Sequence, residues 1–333
     1  MRVLSAILLG LAALWSGYWY IGKSTKFEVL ETWLEDRRDA GWTVKYSDFK
    51  VVGFPNRFDS RFTDLELRDP VSGLGWKAPI FNILALSYQP NHIIAAFPNS
   101  QNLSFPLEDI AVDSTEMLAS VTFEPDTLLA VDQTLLRTKD LALVGASGWR
   151  MLAQNLDLST RQNSQTAFAH DVIFDANRVT PTRAFRSGLD PNGRLPAEIE
   201  KLFLNMVLGF DAPWDRVAIE SGAPLVTSIG VTDFNATWGL LGLRATGTLD
   251  VDANGLINGK LKLEMDNWPE LLELFVSAGI VARDTAKTIQ STIRLLTAGS
   301  DNPNGFKAPL ILSKGQMALG PIPLGAAPRF IRR

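Results

Sequence analysis

The segment from residue 241 to residue 266 alternates between apolar and polar side chains, and this period of two constrains the fold most. One face of its first half carries Leu241, Leu243, Ala245, Gly247, Leu249 and Val251, and after Asn254-Gly255 the alternation resumes with Leu261, Leu263 and Met265. Alternation on both sides of an Asn-Gly pair is the strongest short-range signal of an antiparallel hairpin. A strand with one apolar face requires a core or a ligand against that face.

Shorter strand-like runs extend from residue 44 to the C-terminal region. They are residues 44–52, 57–68, 76–88, 92–97, 119–124, 141–145, 149–160, 167–175, 214–220, 225–237, 309–313 and 316–319. The run 80–86 is apolar on both faces, which is typical of a strand between two apolar layers or between a core and an apolar groove. The sequence therefore predicts a chain built mostly from antiparallel strands.

Helices are predicted in three places within this part of the chain: residues 195–209, a segment opened by Pro269, and residues 284–298. A turn-forming cluster, Asp190-Pro191-Asn192-Gly193, marks a boundary between two lobes. The expected domains are a transmembrane anchor or signal segment (1–22), a first β-rich lobe opened by a helix (23–188) and a second β-rich lobe with helices (189–333). The expected fold is mixed α+β, mostly antiparallel curved β-sheet with a few peripheral helices, preceded by one N-terminal transmembrane helix.

The N-terminal segment has the composition of a membrane span. Residues 3–22 carry no charged side chain, and a helix of about 20 residues crosses a hydrocarbon core of about 30 Å. Aromatic rings favour the headgroup layer. The expected membrane-interface residues are therefore the four aromatic residues near the end of the run, Trp15, Tyr18, Trp19 and Tyr20.

A cleaved signal peptide is the main alternative to an uncleaved anchor, and a buried helix of a soluble protein is a third. Cleavage requires small residues one and three positions before the cut, whereas Ala12 and Ala13 are followed by Leu14 and Trp15. An uncleaved anchor is therefore favoured. A short N-terminus inside the cell gives a single-pass inner-membrane protein with its body in the periplasm, and a cleaved signal would give a soluble periplasmic protein.

A second helix is expected directly after the span. Thr25 and Glu28 have the spacing of a capping box, and Gly41 fits the helix C-terminus. One apolar stripe of this helix carries Phe27, Leu30, Trp33 and Leu34. The stripe predicts a helix docked on the domain that it introduces, and a partner-binding helix is the alternative.

Composition removes several classes of function. The chain has no cysteine, which excludes disulfides and thiolate nucleophiles, and only two histidines. Its net charge of −4 disfavours a nucleic-acid binder. His170 alternates with Phe168, Val172 and Phe174, which predicts a neutral histidine on an apolar face. His92 follows a turn and is expected to be solvated.

Two motifs resemble catalytic or metal-binding sequences without completing them. The loop from Asp250 to Gly255 begins like a calcium loop, but the twelfth position is Leu261 instead of glutamate. Ser47 and Lys50 have a Ser-x-x-Lys spacing, but a strand places residues three apart on opposite faces. We therefore assign no catalytic, cofactor-binding or metal-binding residue, expect no cofactor, and predict that the protein is not an enzyme.

Several turn and strand motifs resemble those of a known family. They are Gly53-Phe54-Pro55, Arg57-Phe58, the run 246–255 continuing to Asn267-Trp268, and the run 319–325. Together they resemble an alphaproteobacterial family of unknown function, DUF2125. More distantly, the pattern is similar to AsmA-like envelope proteins. Those proteins have an inner-membrane helix followed by long curved β-sheets with an apolar channel, and they are associated with lipid movement. These motifs carry no catalytic residue, so the resemblance implies no active site.

The leading functional hypothesis is a membrane-anchored periplasmic envelope protein that binds or handles lipid-like molecules in an apolar β-groove. A structural or interaction module is the first alternative, and it predicts an exposed apolar patch without a concave channel. A hydrolase is the second, and it predicts a polar pocket with converging titratable groups. The expected partners are the membrane, through the N-terminal helix, and lipid or envelope proteins, with no nucleic acid.

Overall fold

The computed structural model describes residues 1–279, 281–297 and 302–330. Contacts within the chain define two compact units. Unit 1 comprises Met1–Pro125 and Leu135–Gly148, and unit 2 comprises Asp126–Thr134 and Trp149–Arg333. In both units the strands pair antiparallel, and helices are the minority. The predicted fold class, with one long apolar helix at the N-terminus, is confirmed.

Unit 1 is an antiparallel sheet that follows one long helix. Its elements are α1 (Arg2–Asp39), β1 (Thr43–Lys45), β2 (Asp48–Val52), β3 (Asp59–Arg68), β4 (Gly75–Leu86), β5 (Gln89–Ala96), β6 (Ser100–Ser104), β7 (Asp109–Asp113), β8 (Glu116–Phe123) and the second part of β9 (Val131–Gly145). Strand β3 pairs with β1, β2 and β4, and β4 also pairs with β5 and β6. Strand β5 pairs with β8, and β7 pairs with β6 and β9.

The core of unit 1 is built around a row of aromatic rings. The register places Phe49 beside Phe62 and Phe62 beside Phe81, and the first two rings stack with centroids 4.4 Å apart. Leu34 of α1 packs against this row and is only 2% exposed. The predicted docking of the amphipathic segment on its domain is therefore confirmed.

The capping box predicted at Thr25 and Glu28 is wrong, because α1 runs without a break from Arg2 to Asp39. Neither glycine nor proline interrupts residues 23–38, so every main-chain N–H in that stretch can continue the helical ladder. The apolar span and the amphipathic segment therefore form one helix. Thr25 lies in the interior of this helix and is not an N-cap.

Unit 2 is a longer antiparallel meander with helices inserted between strands. After the first part of β9 come β10 (Arg150–Gln162), β11 (Ala169–Thr180), α2 (Arg183–Leu189), β12 (Ile199–Phe210), α3 (Arg216–Ser221), β13 (Val226–Trp238), β14 (Leu241–Val251), β15 (Ile257–Asp266), α4 (Trp268–Ser277), α5 (Arg283–Thr297), β16 (Phe306–Ser313), β17 (Gln316–Leu319) and β18 (Ile322–Ala326). From β10 to β18, each strand pairs with the next along the chain.

Two predictions in this unit are wrong. Residues 199–210 form strand β12 instead of a helix, and residues 216–221 form helix α3 instead of part of a strand. The β12 segment is apolar at most positions, so its side chains satisfy helical spacing as well as strand alternation. Pairing with β11 on one side and β13 on the other decides in favour of the strand.

Other predictions for unit 2 are confirmed. Pro269 lies in the first turn of α4, and α5 follows the segment predicted at 284–298 as far as residue 297, since Ala298 lies outside the described residues. The lobe boundary predicted at residues 188 and 189 falls between β11 and β12, which pair with each other within unit 2. As a statement about domains it stays a prediction.

The Asn-Gly hairpin is confirmed, with continuous pairing from Gly242 and Asp266 to Val251 and Ile257. Gly247 and Gly259 lie on its facing strands with φ of +142° and +145°, respectively. A Cβ atom on Gly247 would collide with the carbonyl oxygen of Lys260, and one on Gly259 with that of Thr248. The hairpin therefore needs glycine at both positions.

Gly247→Ala is expected to lower the free energy of unfolding by about 1–3 kcal/mol, because the methyl group meets a main-chain oxygen and an alanine is strained at this φ. Urea denaturation of the full chain in detergent, followed by circular dichroism, measures the change. Thr246→Ala at the exposed neighbouring position is the control. An unchanged midpoint for Gly247→Ala would contradict the collision.

Candidate functional site

The register of unit 2 aligns alternate side chains into rows that cross seven strands. One row contains Leu158, Phe174, Leu204, Phe234, Ala245, Leu263 and Ala308. A neighbouring row on the same side contains Leu156, Ala176, Leu202, Ala236, Leu243, Met265 and Phe306. These two rows, which we name the apolar face, carry no polar side chain.

Among the described residues, helices pack on the apolar face near β15 and β16, and Phe185 of α2 stacks on Trp238, which lies on the same side of β13 as Phe234. Near β15 and β16, Trp268 of α4 and Ile289 and Ile293 of α5 pack on the sheet, where Phe306 is 4% exposed. Toward β10 the cover is thinner, and Leu158 is 37% exposed. Residues of β11, β12 and β13 in the same row are half-buried, namely Phe174, Leu204 and Phe234. Cover is uneven across these strands, since Ala176 of the second row is only 1% exposed, and unit 2 therefore presents a partly covered apolar surface across β10–β13.

The opposite side of β14, β15 and β16 is charged, whereas on β11 and β12 that side mixes polar residues with Ile173, Phe203 and Val207. Three charged residues lie side by side across β14, β15 and β16, namely Arg244, Glu264 and Lys307. Glu264 forms ion pairs with Arg244 at 3.7 Å and with Lys307 at 3.1 Å. Hydrogen bonds from Lys307 and then Lys262 lower the pKa of the Glu264 carboxyl. A charged, ion-paired surface is typical of a sheet side that faces water. The two sides of the sheet thus differ sharply in polarity at β14–β16.

His170 lies on the same side of the sheet as the apolar face, in a further row that crosses β11, β12 and β13. It lies in register with Leu208, which is in register with Ile229, and its side chain is buried. Burial lowers the pKa of its imidazole below 6.5, and the carboxylates of Asp171 and Asp132 act in the opposite direction. The prediction that His170 lies on an apolar face is confirmed.

The other histidine, His92, lies in a strand, as predicted for residues 92–97. It pairs with Thr122 of β8, but it is half-buried instead of fully solvated, and the turn expected just before it is wrong. The local signal was the preceding Gln89-Pro90-Asn91, which is typical of a turn. Here those three residues already belong to β5, since the strand begins at Gln89.

Stability is expected to decline as the pH falls below about 6.5, the ordinary pKa of histidine. There the unfolded chain binds a proton that buried His170 accepts only at lower pH, so acid favours the unfolded state. His170→Leu is expected to reduce this decline. Urea midpoints at neutral and mildly acidic pH measure the effect, and an equally large decline in the variant would contradict the assignment to His170.

The calcium-like loop and the Ser-x-x-Lys pair both have structural roles and form no site. Asp252 accepts hydrogen bonds from the main-chain N–H of Asn254 and of Leu256, so its carboxylate closes the β-turn. Ser47 donates to Asp64, whereas Lys50 pairs with Asp48. Among residues 1–279, 281–297 and 302–330, no group of three or more His, Asp or Glu side chains could hold a metal ion.

Three of the four aromatic residues assigned to the membrane interface contact unit 1. The hydrogen bonds run from Trp15 Nε1 to Pro55 O (3.0 Å), from Tyr18 Oη to Ser87 O (2.6 Å) and from Trp19 Nε1 to Arg57 O (2.8 Å). Tyr20 is 67% exposed. Their placement at a membrane interface stays a prediction. Sequence reasoning missed the acceptors, because main-chain carbonyls leave no signature in a sequence.

A lysine continues this contact beyond the span. Lys26 Nζ donates to the carbonyl oxygen of Phe58 and, at 3.4 Å, to that of Ile83. Burial lowers the pKa of the Lys26 ammonium to about 8, and nearby Asp59 opposes the shift. Helix α1 is thus held on the rest of unit 1 by directed polar contacts as well as by apolar packing.

By length and composition, α1 is able to cross a membrane, and a signal sequence fits the same criteria. No curated protein and no solved structure matches the chain. One family model does match, over residues 19–328, and its members are described as uncharacterised proteins conserved in bacteria. Because that match covers the apolar face and most of both units, the chain belongs to the DUF2125 family of uncharacterised bacterial proteins.

Proposed function

We propose that this protein is anchored in the inner membrane by α1 and binds lipid-like molecules on the apolar face of unit 2. The role is non-enzymatic and is exercised in the periplasm. The observation that carries the proposal is the incomplete cover of the apolar face across β10–β13, where Leu158 is 37% exposed. Acyl chains are the ligand class with matching chemistry, since they gain by leaving water and need no hydrogen bonds.

The proposal follows from the energetic cost of leaving such a face open. Each apolar side chain exposed to water instead of buried forgoes about 1.5–3 kcal/mol, and soluble proteins rarely expose large contiguous apolar patches without a use for them. The face crosses several strands and is bounded at one end by α4 and α5. A long, narrow apolar molecule lying across the strands would complete its cover.

The likeness to AsmA-like envelope proteins belongs to this proposal. In those proteins an inner-membrane helix carries an apolar β-surface used in lipid movement, which is the arrangement proposed here. Fold-level likeness alone does not assign a function. The apolar face, and not the likeness, is therefore what the experiment must test.

The test is mass spectrometry of lipids that co-purify with the full chain in mild detergent. A truncated chain beginning at residue 24 is unsuitable, because it lacks Trp19, which covers Val51 and Phe58 of unit 1. We expect phospholipid at a reproducible stoichiometry that survives extensive washing. Reproducible absence of lipid would overturn the proposal and favour an interaction module whose apolar face meets another envelope protein.

A further inference from the structure

Helix α1 is bare at its start and docked in its middle. Residues 3–14 are all exposed, with Leu9 at 72% and Leu14 at 73%. Docking on unit 1 begins at Trp15 and is tightest at Trp19, which is 9% exposed against Val51 and Phe58. The docked part therefore begins inside the uncharged run instead of after it.

The exposed part of α1 that precedes the docked part is too short to cross a membrane. Residues 3–14 cover about 18 Å at about 1.5 Å per residue, against about 30 Å for a hydrocarbon core. The whole uncharged run, residues 3–22, covers about 30 Å. Residues 15–22 would then occupy roughly the outer 12 Å of the core. Whatever these residues contact on unit 1 must lie at the same depth.

The contacted part of unit 1, which we name the docking edge, consists of residues 53–58 and 85–88. Several of its main-chain carbonyls accept hydrogen bonds from within the protein. The pairs are Arg57 N to Gly53 O, Trp15 Nε1 to Pro55 O, Ser87 N to Asn56 O, Trp19 Nε1 to Arg57 O, Phe58 N to Ala85 O and Tyr18 Oη to Ser87 O. Backbone at membrane depth requires such internal pairing, because lipid offers no hydrogen bonds.

Large apolar side chains project from the docking edge. Phe54 is 57% exposed, although its ring also meets the edge of Trp19, and Tyr88 is 65% exposed. Arg57, the charged residue of the edge, pairs with Asp59. Aromatic residues at this level suit the boundary between headgroups and acyl chains. Length, backbone pairing and side-chain chemistry therefore agree.

We propose that the docking edge of unit 1 is seated in the lipid bilayer, with Phe54 and Tyr88 entering the outer part of the acyl region beside α1. The occupant of this surface is the bilayer that holds the helix. The inference rests on α1 spanning the membrane, which is part of the proposed function, and does not depend on lipid binding by unit 2. It gives unit 1 a fixed depth and orientation instead of a free tether.

The absence of cysteine from the chain allows a direct depth measurement. Single variants Leu8→Cys, Phe54→Cys, Tyr88→Cys and Val71→Cys carry the environment-sensitive fluorophore NBD in full-length protein reconstituted into phosphatidylethanolamine–phosphatidylglycerol vesicles. Spin-labelled lipids report acyl-chain contact by quenching, and aqueous iodide reports exposure to water. Tyr88 makes no ring contact with α1 in the described structure, so its variant preserves docking if Phe54→Cys disturbs it.

Val71 is the matched control. It is an apolar residue of unit 1 with 91% exposure, on the turn whose Pro70 lies near Gly41, just past the other end of α1. That end is about 25 Å further along the helix axis than residue 22. We expect quenching by lipid and a blue-shifted emission at positions 8, 54 and 88, and quenching by iodide at 71.

The outcomes separate the two proposals. Lipid quenching at position 8 with iodide quenching at both 54 and 88 would overturn the seating of the docking edge and leave the anchor intact. Iodide quenching at position 8 would overturn the anchor and the seating together. Neither result bears on lipid bound to the apolar face of unit 2, which substitutions on that face report.

Discussion

Replacing Gly22 by leucine is expected to separate α1 from the strands of unit 1. A Cβ atom at this position would lie 2.5 Å from Cζ of Phe58, whose ring is buried under the helix. Small residues allow helices to approach their neighbours closely, and forcing extra atoms into a packed contact costs about 1–3 kcal/mol. At about 1.4 kcal/mol per factor of ten, undocking should become roughly tenfold more frequent or more.

Thiol labelling measures this separation. Val51 is 1% exposed and lies beneath Trp19, so Val51→Cys should react with N-ethylmaleimide only when the helix leaves. The labelling rate is expected to rise when Gly22→Leu is added to this background. Gly17→Leu is the matched control, because a Cβ at Gly17 meets no atom within 4 Å. Equal rates in the two double variants would show that close approach at Gly22 does not hold the helix.

Phe174→Asn is expected to abolish most lipid binding while the protein stays folded. Phe174 lies on the second of the seven strands of the apolar face, between Leu158 and Leu204, and is half-buried without a ligand. Losing the contact of a large apolar side chain costs about 1.5–3 kcal/mol, and the new amide loses hydrogen bonds to water under an acyl chain. Affinity for a fluorescent fatty acid should therefore fall roughly tenfold or more.

The control is the next residue of the same strand. Asp175→Asn introduces the same side chain on the opposite side, where Asp175 pairs with Lys201 at 3.7 Å. An ion pair of this kind contributes about 0–1 kcal/mol, so binding should not change. Circular dichroism confirms the fold of both variants. Equal affinity in the two variants would place the ligand elsewhere than on the apolar face.

The sequence was most informative where its signals were local. An Asn-Gly pair between alternating runs specifies a hairpin through the backbone of a few residues, and β14 and β15 pair as expected. Twenty uncharged residues, 3–22, specify a helix long enough for a bilayer. The β12 segment could not be assigned this way, because its nearly continuous apolar run fits both periods and its neighbours on the sheet decide between them.

The sequence predicted that the candidate site is an apolar surface on strands, but it did not predict which strands form it. An apolar surface on antiparallel strands followed from alternation alone, because side chains alternate across every strand. Which strands share that surface depends on register, and which part stays uncovered depends on where α4 and α5 pack. Likewise, the sequence marked Trp15, Tyr18 and Trp19 as interface residues, but only the tertiary structure joined them to carbonyls of unit 1. Local periodicity determined most of the helices and strands of this protein. Contacts between residues far apart in the chain decided where along α1 the docking begins and which part of the apolar face stays exposed, because no short pattern encodes such contacts.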